Sequence, residues 1–250
     1  MARVRRLGRI MRHVGVDGCR AGWIAVARGE AGLQFRIFQN FPDLVSAFSD
    51  AERILVDVPI GLPSPQAPIR PCDQRARQVL GHPRRSSVFP VPCREAVRAS
   101  TFDQARKINQ SCLGRSLSVM TWCICDKIAE VDTFLLSGRA SLDHVREVHP
   151  EVCFWALAER RPMEHSKKTA EGRAERRRHL QRHEPRVSQL LSEVSKTKLR
   201  KDVQEDDVLD AAVAFVTAEP RFGELDSLAG TPSHDEEGLR IEMLYLRTWE

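Results

Sequence analysis

The stretch Val14-Gly15-Val16-Asp17-Gly18-Cys19-Arg20-Ala21-Gly22-Trp23-Ile24-Ala25-Val26-Ala27 decides how this chain folds. Two short apolar runs flank a glycine-bearing connection. They read as neighbouring strands joined by a tight turn. The first run delivers an acid, Asp17, to its end. A carboxylate there either caps the turn or serves as a ligand for a hard cation. Only other acids able to meet Asp17 decide between these roles.

Working outward, residues 33–38 form a third strand after the Gly29/Gly32 turn, and the short connections make an antiparallel meander. Residues 41–48 read as a short helix with Pro42 in its first turn. Residues 53–58 are a dense apolar strand with Asp57 near its end, reached by a crossover long enough for parallel pairing. Pro59, Pro63, Pro65, Pro68 and Pro71 exclude a continuous helix or central strand beyond it. Helices are expected over 73–80, 102–108 and 117–136, the last amphipathic. A strand from Val145 stops at Pro150, and a short helix occupies 152–157. Residues 160–186 hold ten Lys or Arg against four Glu and read as an exposed helix–turn–helix. Further helices are expected through 187–194 and over 206–218. Residues 220–238 are turn-rich, and 239–245 form a last edge strand or hairpin arm. This order predicts an α/β domain with a mixed sheet covered by helices.

The chain has 250 residues, of which 42% are hydrophobic, enough for one large domain with its own core. A net charge of +5 and an isoelectric point near 9.0 mildly favour an anionic partner. The seven cysteines form no paired CxxC sites, so the expectation is reduced thiols in the cytoplasm rather than disulfides or structural zinc. Residues 1–12 carry five arginines and no apolar core follows, so they read as a basic arm rather than a secretory signal. No stretch approaches a membrane span.

The candidate chemistry lies with the acids. Asp17 ends the first strand, Asp57 ends the fourth, and Glu147 lies in the late strand. Asp207 and Asp210 share one helix face, with Asp206 a rival to Asp207. Parallel strands deliver their C-terminal ends to one rim, where open α/β sheets bind ligands. Carboxylates gathered there repel one another, and Mg²⁺ would offset this. Asp206 and Asp207 also suit the start of a helix for purely local reasons. His149, beside Pro150 and Glu151, could orient water or move a proton, or simply cap the next helix. Arg84 and Arg85 with Ser86 and Ser87, extended by Arg94, form a candidate phosphate-contact group. Ser166-Lys167-Lys168-Thr169 with Arg173, Arg176, Arg177 and Arg178 add a basic surface able to follow a nucleic-acid backbone, or to serve as a solvated helix face. No GxxxxGK[ST] or GxSxG motif is present, and neither Cys19 nor Cys153 has a nucleophile's spacing.

Several stretches together carry a family resemblance: Gly15 to Trp23 (GVDGCRAGW), Asp57 to Pro63 (DVPIGLP), Cys72 to Arg77 (CDQRAR) and Ser86 to Pro90 (SSVFP). Arg146 to Glu151 (REVHPE), Ser166 to Thr169 (SKKT) with Gly172, and Asp206 to Ala211 (DDVLDA) complete the set. The pattern resembles domain-of-unknown-function family 429 (DUF429), predicted RNase H-like nucleases, and spans residues 14–245. Ala21 stands where many relatives have Gly.

The resemblance implies an RNase H-like sheet of five strands in the order 3-2-1-4-5, with strand 2 antiparallel and helical insertions. It implies one domain over 13–250, with an insertion at 59–142 and a helical lobe at 152–200. It places metal on Asp17, Asp57 and Asp207 or Asp210, with Glu147 and His149 at the same rim. Arg84, Arg85, Ser87, Lys167 and Lys168 would meet phosphate. The expected function is a nuclease or phosphoesterase using Mg²⁺, with Mn²⁺ as the alternative ion, on DNA, RNA or a small phosphorylated substrate. The alternatives are a nucleic-acid-binding protein without cleavage, and a small-molecule phosphotransfer or hydrolase enzyme on the same fold.

Overall fold

A computed structural model of the chain describes residues 12–30, 32–138, 143–197 and 202–248. The Arg-rich arm lies outside the described residues except for Arg12. Five strands form the central sheet: β1 (His13–Cys19), β2 (Gly22–Gly29), β3 (Gly32–Phe38), β4 (Arg53–Val56) and β5 (Val145–Glu147). Their order is β3-β2-β1-β4-β5, with β2 antiparallel to both neighbours and β1, β4 and β5 parallel, as the family resemblance implies.

Side-chain alternation splits the sheet between two cores. Val14, Val16, Ile54 and Val56 pack with Trp23 and Ala25 under α1 (Phe41–Ala47) and the later α6. Leu55, Ile24 and Val26 face the opposite layer. Asn40 caps α1 by accepting from the Asp43 amide at 2.8 Å. The long proline loop after β4 leads into α2 (Pro71–Arg84), which is interrupted at Gly81 and His82 by non-helical backbone. A 3-10 turn, Arg85–Ser87, follows. The insertion continues through α3 (Arg94–Val97), α4 (Phe102–Leu113), α5 (Val119–Trp122) and α6 (Cys125–Leu136). The single helix expected over 117–136 is thus two. Ser118 caps the first by accepting from the Thr121 amide at 3.1 Å, and a turn at Cys123 and Ile124 separates them, with Ile124 the N-cap residue of the second.

After β5 come α7 (Pro150–Leu157), α8 (Ala170–His183), α9 (Val187–Lys196) and α10 (Glu205–Ala218). The helix–turn–helix expected over 160–186 is a non-helical connection and then one helix. Glu159 and Arg160 adopt positive φ (56° and 62°), which ends the preceding helical turn, and Thr169 caps α8 by accepting from the Gly172 amide at 3.1 Å. The turn-rich stretch near the C-terminus contains β6 (Gly223–Ser227), paired antiparallel with β9 (Leu244–Thr248). Two short strands, β7 (Ser233–His234) and β8 (Arg240–Ile241), pair beside it.

Helix α10 is the centre of the second core, buried from Val208 to Ala218. It lies directly against β1, where Gly15 leaves room for its backbone. A Cβ on Gly15 would sit 2.0 Å from the Phe215 amide nitrogen and 2.2 Å from the Ala211 carbonyl oxygen. No helix among the described residues is long and apolar enough to cross a membrane.

Candidate active site at the ends of β1 and β4

The register of β1 and β4 builds the first half of the site. Gly15 pairs with Leu55 and Val16 with Val56. The ladder runs one step further, because the Asp57 amide donates to the Val16 carbonyl at 3.0 Å. Asp17 and Asp57 therefore leave adjacent parallel strands side by side. Both lie two residues beyond Gly15 and Leu55, on the face that packs against α10. Asp210 comes from α10, one turn before Ala214, and is 1% exposed. Asp17 is 8% exposed, and its Oδ1 accepts from the Gly18 amide at 2.7 Å.

Burial and neighbouring carboxylates raise both Asp17 and Asp57. Asp17 is pushed well above the usual carboxylate range by burial, then by Asp57 and Asp210, with Lys167 opposing. Asp57 is raised to about 6, mainly by burial, while His149 pulls it down and Asp210 pushes it up. Lys167 relieves part of this repulsion. Its Nζ donates to Asp210 Oδ2 at 2.5 Å, and its own affinity for the proton is raised by Asp210 against the opposing effect of burial. The other oxygen, Asp210 Oδ1, is buried and has no hydrogen-bond partner among the described residues.

Lys167 is delivered by a clamped loop. Glu175 accepts from the Glu164 and His165 amides at 2.8 and 3.0 Å. Arg176, fully buried, donates from Nη1 to the His165 and Gly172 carbonyls at 3.0 and 2.9 Å, and it pairs with Glu151 on α7. A Cβ on Gly172 would lie 1.9 Å from the Ser166 carbonyl oxygen, so only glycine lets α8 approach the loop this closely. His149, the N-cap residue of α7, meets the Ser87 carbonyl through Nε2 at 3.3 Å. A carbonyl only accepts, so this contact puts a proton on Nε2. Nδ1 is buried and unpartnered among the described residues.

The other singled-out residues lie elsewhere. Glu147 pairs in register with Val56, so it points to the face opposite Asp57. There it accepts from the Ile60 amide at 2.6 Å and pairs with Arg70, which also donates to Asp73 at 2.9 Å and to the Ile60 carbonyl at 3.0 Å. Burial pushes Glu147 up to about 8, with Arg70 opposing. Asp207 sits at the edge of the cluster, where its carboxylate completes a capping box by accepting from the Gln204 amide at 2.8 Å. Burial raises it to about 6. Lys168 pairs with Asp206 at 2.9 Å. Arg84 and Arg85 lie at the end of α2 and the turn after it, and the Ser87 hydroxyl donates to the Arg84 carbonyl at 2.9 Å. Arg94 is held by Asp132 at 3.0 Å and Asp235 at 2.5 Å. The basic face of α8 is largely paired: Arg173 and Arg177 meet Glu205, and Arg176 is inside the fold. Burial pushes the Cys19 and Cys153 thiols up to about 11 and about 12, which leaves both poor nucleophiles.

Sequence reasoning missed Arg70 and Lys127, and it took Arg176 for part of a basic surface. Arg70 lies among prolines and Arg176 in a run of arginines, so neither carries a spacing signal. Lys127 stacks on Trp23, 4.3 Å from its ring centre, and its side chain runs past Gly18 beside Asp17.

Two tighter groupings of potential ligand atoms occur. Cys72, Asp73 and Glu147 are fully buried, but Arg70 already supplies their counter-charge. Cys93 and Cys112 lie near Glu95. Asp17, Asp57 and Asp210 are not among these groups, their ligand atoms being spread more widely than 4.8 Å. Mg²⁺ keeps several waters and can reach part of such a set through them. All-oxygen donors and the unpartnered Asp210 Oδ1 fit such an ion.

The family model described as "Protein of unknown function (DUF429)" matches residues 15–237, and the chain belongs to that family. No curated protein and no solved structure matches it significantly.

Proposed function

We propose that this DUF429 protein is a divalent-metal-dependent hydrolase of phosphodiester bonds on an RNase H-like scaffold. The observation that carries the reading is the convergence of Asp17, Asp57 and Asp210 at the C-terminal rim of β1 and β4, with one buried oxygen of Asp210 left without a partner. Asp17 and Asp57 would hold the ion together with Asp210. When bound, Mg²⁺ or Mn²⁺ supplies a more acidic water and charge stabilisation at the departing oxygen. His149, an electrostatic neighbour of Asp57 with an unpartnered Nδ1, would take a proton from water. Lys167, about one-third exposed, adds positive charge where a phosphate would approach.

The test is cleavage of labelled single- and double-stranded DNA and RNA with Mg²⁺ or Mn²⁺, run beside Asp17→Asn. Metal-dependent cleavage that disappears in folded Asp17→Asn supports the reading. Cleavage unaffected by that substitution would overturn it.

A small phosphorylated substrate is the second reading. It is favoured by the pairing of Lys168, Arg173, Arg176 and Arg177 with carboxylates of the same chain, which consumes much of the basic surface a long nucleic acid would follow. Bis(p-nitrophenyl) phosphate as a parallel substrate separates the two. Turnover of this diester without cleavage of any oligonucleotide would favour the small substrate.

A further inference from the structure

We infer that Lys167 stands where a second cation would otherwise meet Asp210, so that the chain takes a single divalent ion rather than a pair. The inference rests on the metal-dependent reading above and specifies its stoichiometry.

Asp210 divides its two oxygens. Oδ2 is taken by the Lys167 ammonium at 2.5 Å, and Oδ1 is buried and open. The ammonium also lies within electrostatic reach of Asp17 and Asp57. Lys167 already places one positive charge against Asp210 Oδ2, so a second divalent ion would have to displace the ammonium or sit beside it, a like-charge contact whose cost low local dielectric magnifies.

Lys167 is also not a surface side chain that swung in by chance. The loop bearing it is tied by Glu175 and Arg176 on one side. On the other, Arg173 donates to the Lys168 carbonyl at 3.0 Å. Gly172 fits against the Ser166 carbonyl with no space for a Cβ. A loop fixed so closely presents its lysine at a set position, as a bound ion would be presented. The other nearby cation, Lys127, points along Gly18 and Trp23 and is tied to Glu130 only at 4.0 Å, so it does not take the same place.

The experiment is Mn²⁺ titration of the full chain by calorimetry at pH 7, with Mn²⁺ electron paramagnetic resonance as a second readout. The variants are Lys167→Met, which keeps the length of the side chain and loses its charge, and Lys167→Arg, which keeps the charge. Thermal unfolding checks that each is folded. One ion is expected per wild-type or Lys167→Arg chain. Two are expected per Lys167→Met chain, with the resonance broadened by ion–ion coupling. Two ions in the wild type would overturn the inference while leaving the metal reading intact. One ion in Lys167→Met would overturn the assignment of Lys167 to the second position. No Mn²⁺ bound by either the wild type or Lys167→Met would overturn the metal reading itself.

Discussion

Replacing Gly15 with alanine tests how the site is assembled without touching a carboxylate. The new Cβ would lie 2.0 Å from the Phe215 amide nitrogen, 2.2 Å from the Ala211 carbonyl oxygen and 2.7 Å from the Ala214 carbonyl carbon. The shortfall from an ordinary 3.4 Å contact is about 1.4 Å, and the obstacle is helix backbone rather than a flexible side chain. Helix α10 must retreat from β1, and it carries Asp210 with it. Overpacking costs about 1–3 kcal/mol, and a backbone obstacle places this case near about 3 kcal/mol. In a domain of this size that lowers Tm by about 6–12 °C. Displacing one ligand by about 1 Å weakens Mn²⁺ binding by about tenfold to a hundredfold.

Gly18→Ala is the matched control three residues along. Its Cβ would meet only Lys127 side-chain carbons, at 3.8 Å. Stability should change by less than about 0.5 kcal/mol. Differential scanning calorimetry and Mn²⁺ titration read both quantities. If Gly15→Ala melts within about 1 °C of the wild type and binds Mn²⁺ within about twofold, the close β1–α10 contact is not what brings Asp210 to Asp17.

Other expectations follow from the same geometry. Asp57 is raised from 3.8 to about 6 by burial, with Asp210 adding and His149 opposing. The folded state therefore holds a proton that the unfolded chain releases, and this contribution is complete below pH 3.8 and lost as pH rises through about 6. The metal-free wild type should lose Tm across that window more steeply than Asp57→Asn, and Mn²⁺ at pH 7 should restore Tm only in the wild type. Parallel pH profiles for the two proteins would show that Asp57 does not titrate there. Arg70→Met leaves Glu147 and Asp73 buried without their donor and should cost about 3–5 kcal/mol in denaturant unfolding. Glu147→Gln, by contrast, keeps an oxygen to accept from the Ile60 amide and should hold Mn²⁺ affinity within about twofold; a loss as large as that of Asp57→Asn would place Glu147 in the metal site after all. Gly172→Ala pushes on the Ser166 carbonyl and should shift Mn²⁺ stoichiometry in the same direction as Lys167→Met. An unchanged stoichiometry would show that the loop adapts.

The sheet was legible because its signals are local. The paired apolar runs around Gly18 and Gly22 announce a hairpin, and the length of the segment before Arg53 announces a parallel crossover. Asp17 and Asp57 stand out because each ends such a run, and Asp210 because it interrupts an apolar helix. Glu147 shows where that reasoning stops. Whether an acid on β5 joins the cluster depends on the parity of one register, and Val56 opposite Glu147 sends its side chain to the other face. Nothing in the spacing of the two segments reveals that parity. The basic run of α8 was opaque for a different reason. Arg176 differs from Arg177 and Arg178 only in its angle around the helix, and that angle makes it a buried clamp on Glu151 rather than part of a charged surface. Strand β6 was obscured because Gly223–Ser227 is mostly polar and pairs with residues about twenty positions away, whereas the strand expected over 239–245 is divided between β8 and the start of β9.

Both faces of the sheet end up serving Asp57. On one face, parity from Leu55 places its carboxylate beside Asp17 and under α10. On the other, Glu147 and Arg70 grip the amide and the carbonyl of Ile60, three residues after Asp57. The chain leaves β4 through a proline-rich loop with no ladder of its own, so this grip is what prevents the end of the strand from fraying. A carboxylate crowded by two others in a half-buried site is pushed outward by repulsion, and it stays only if its backbone cannot follow. Glu147 thus contributes to the arrangement of the acids from the opposite face, holding the loop behind Asp57 while Lys167 neutralises the charge in front of it.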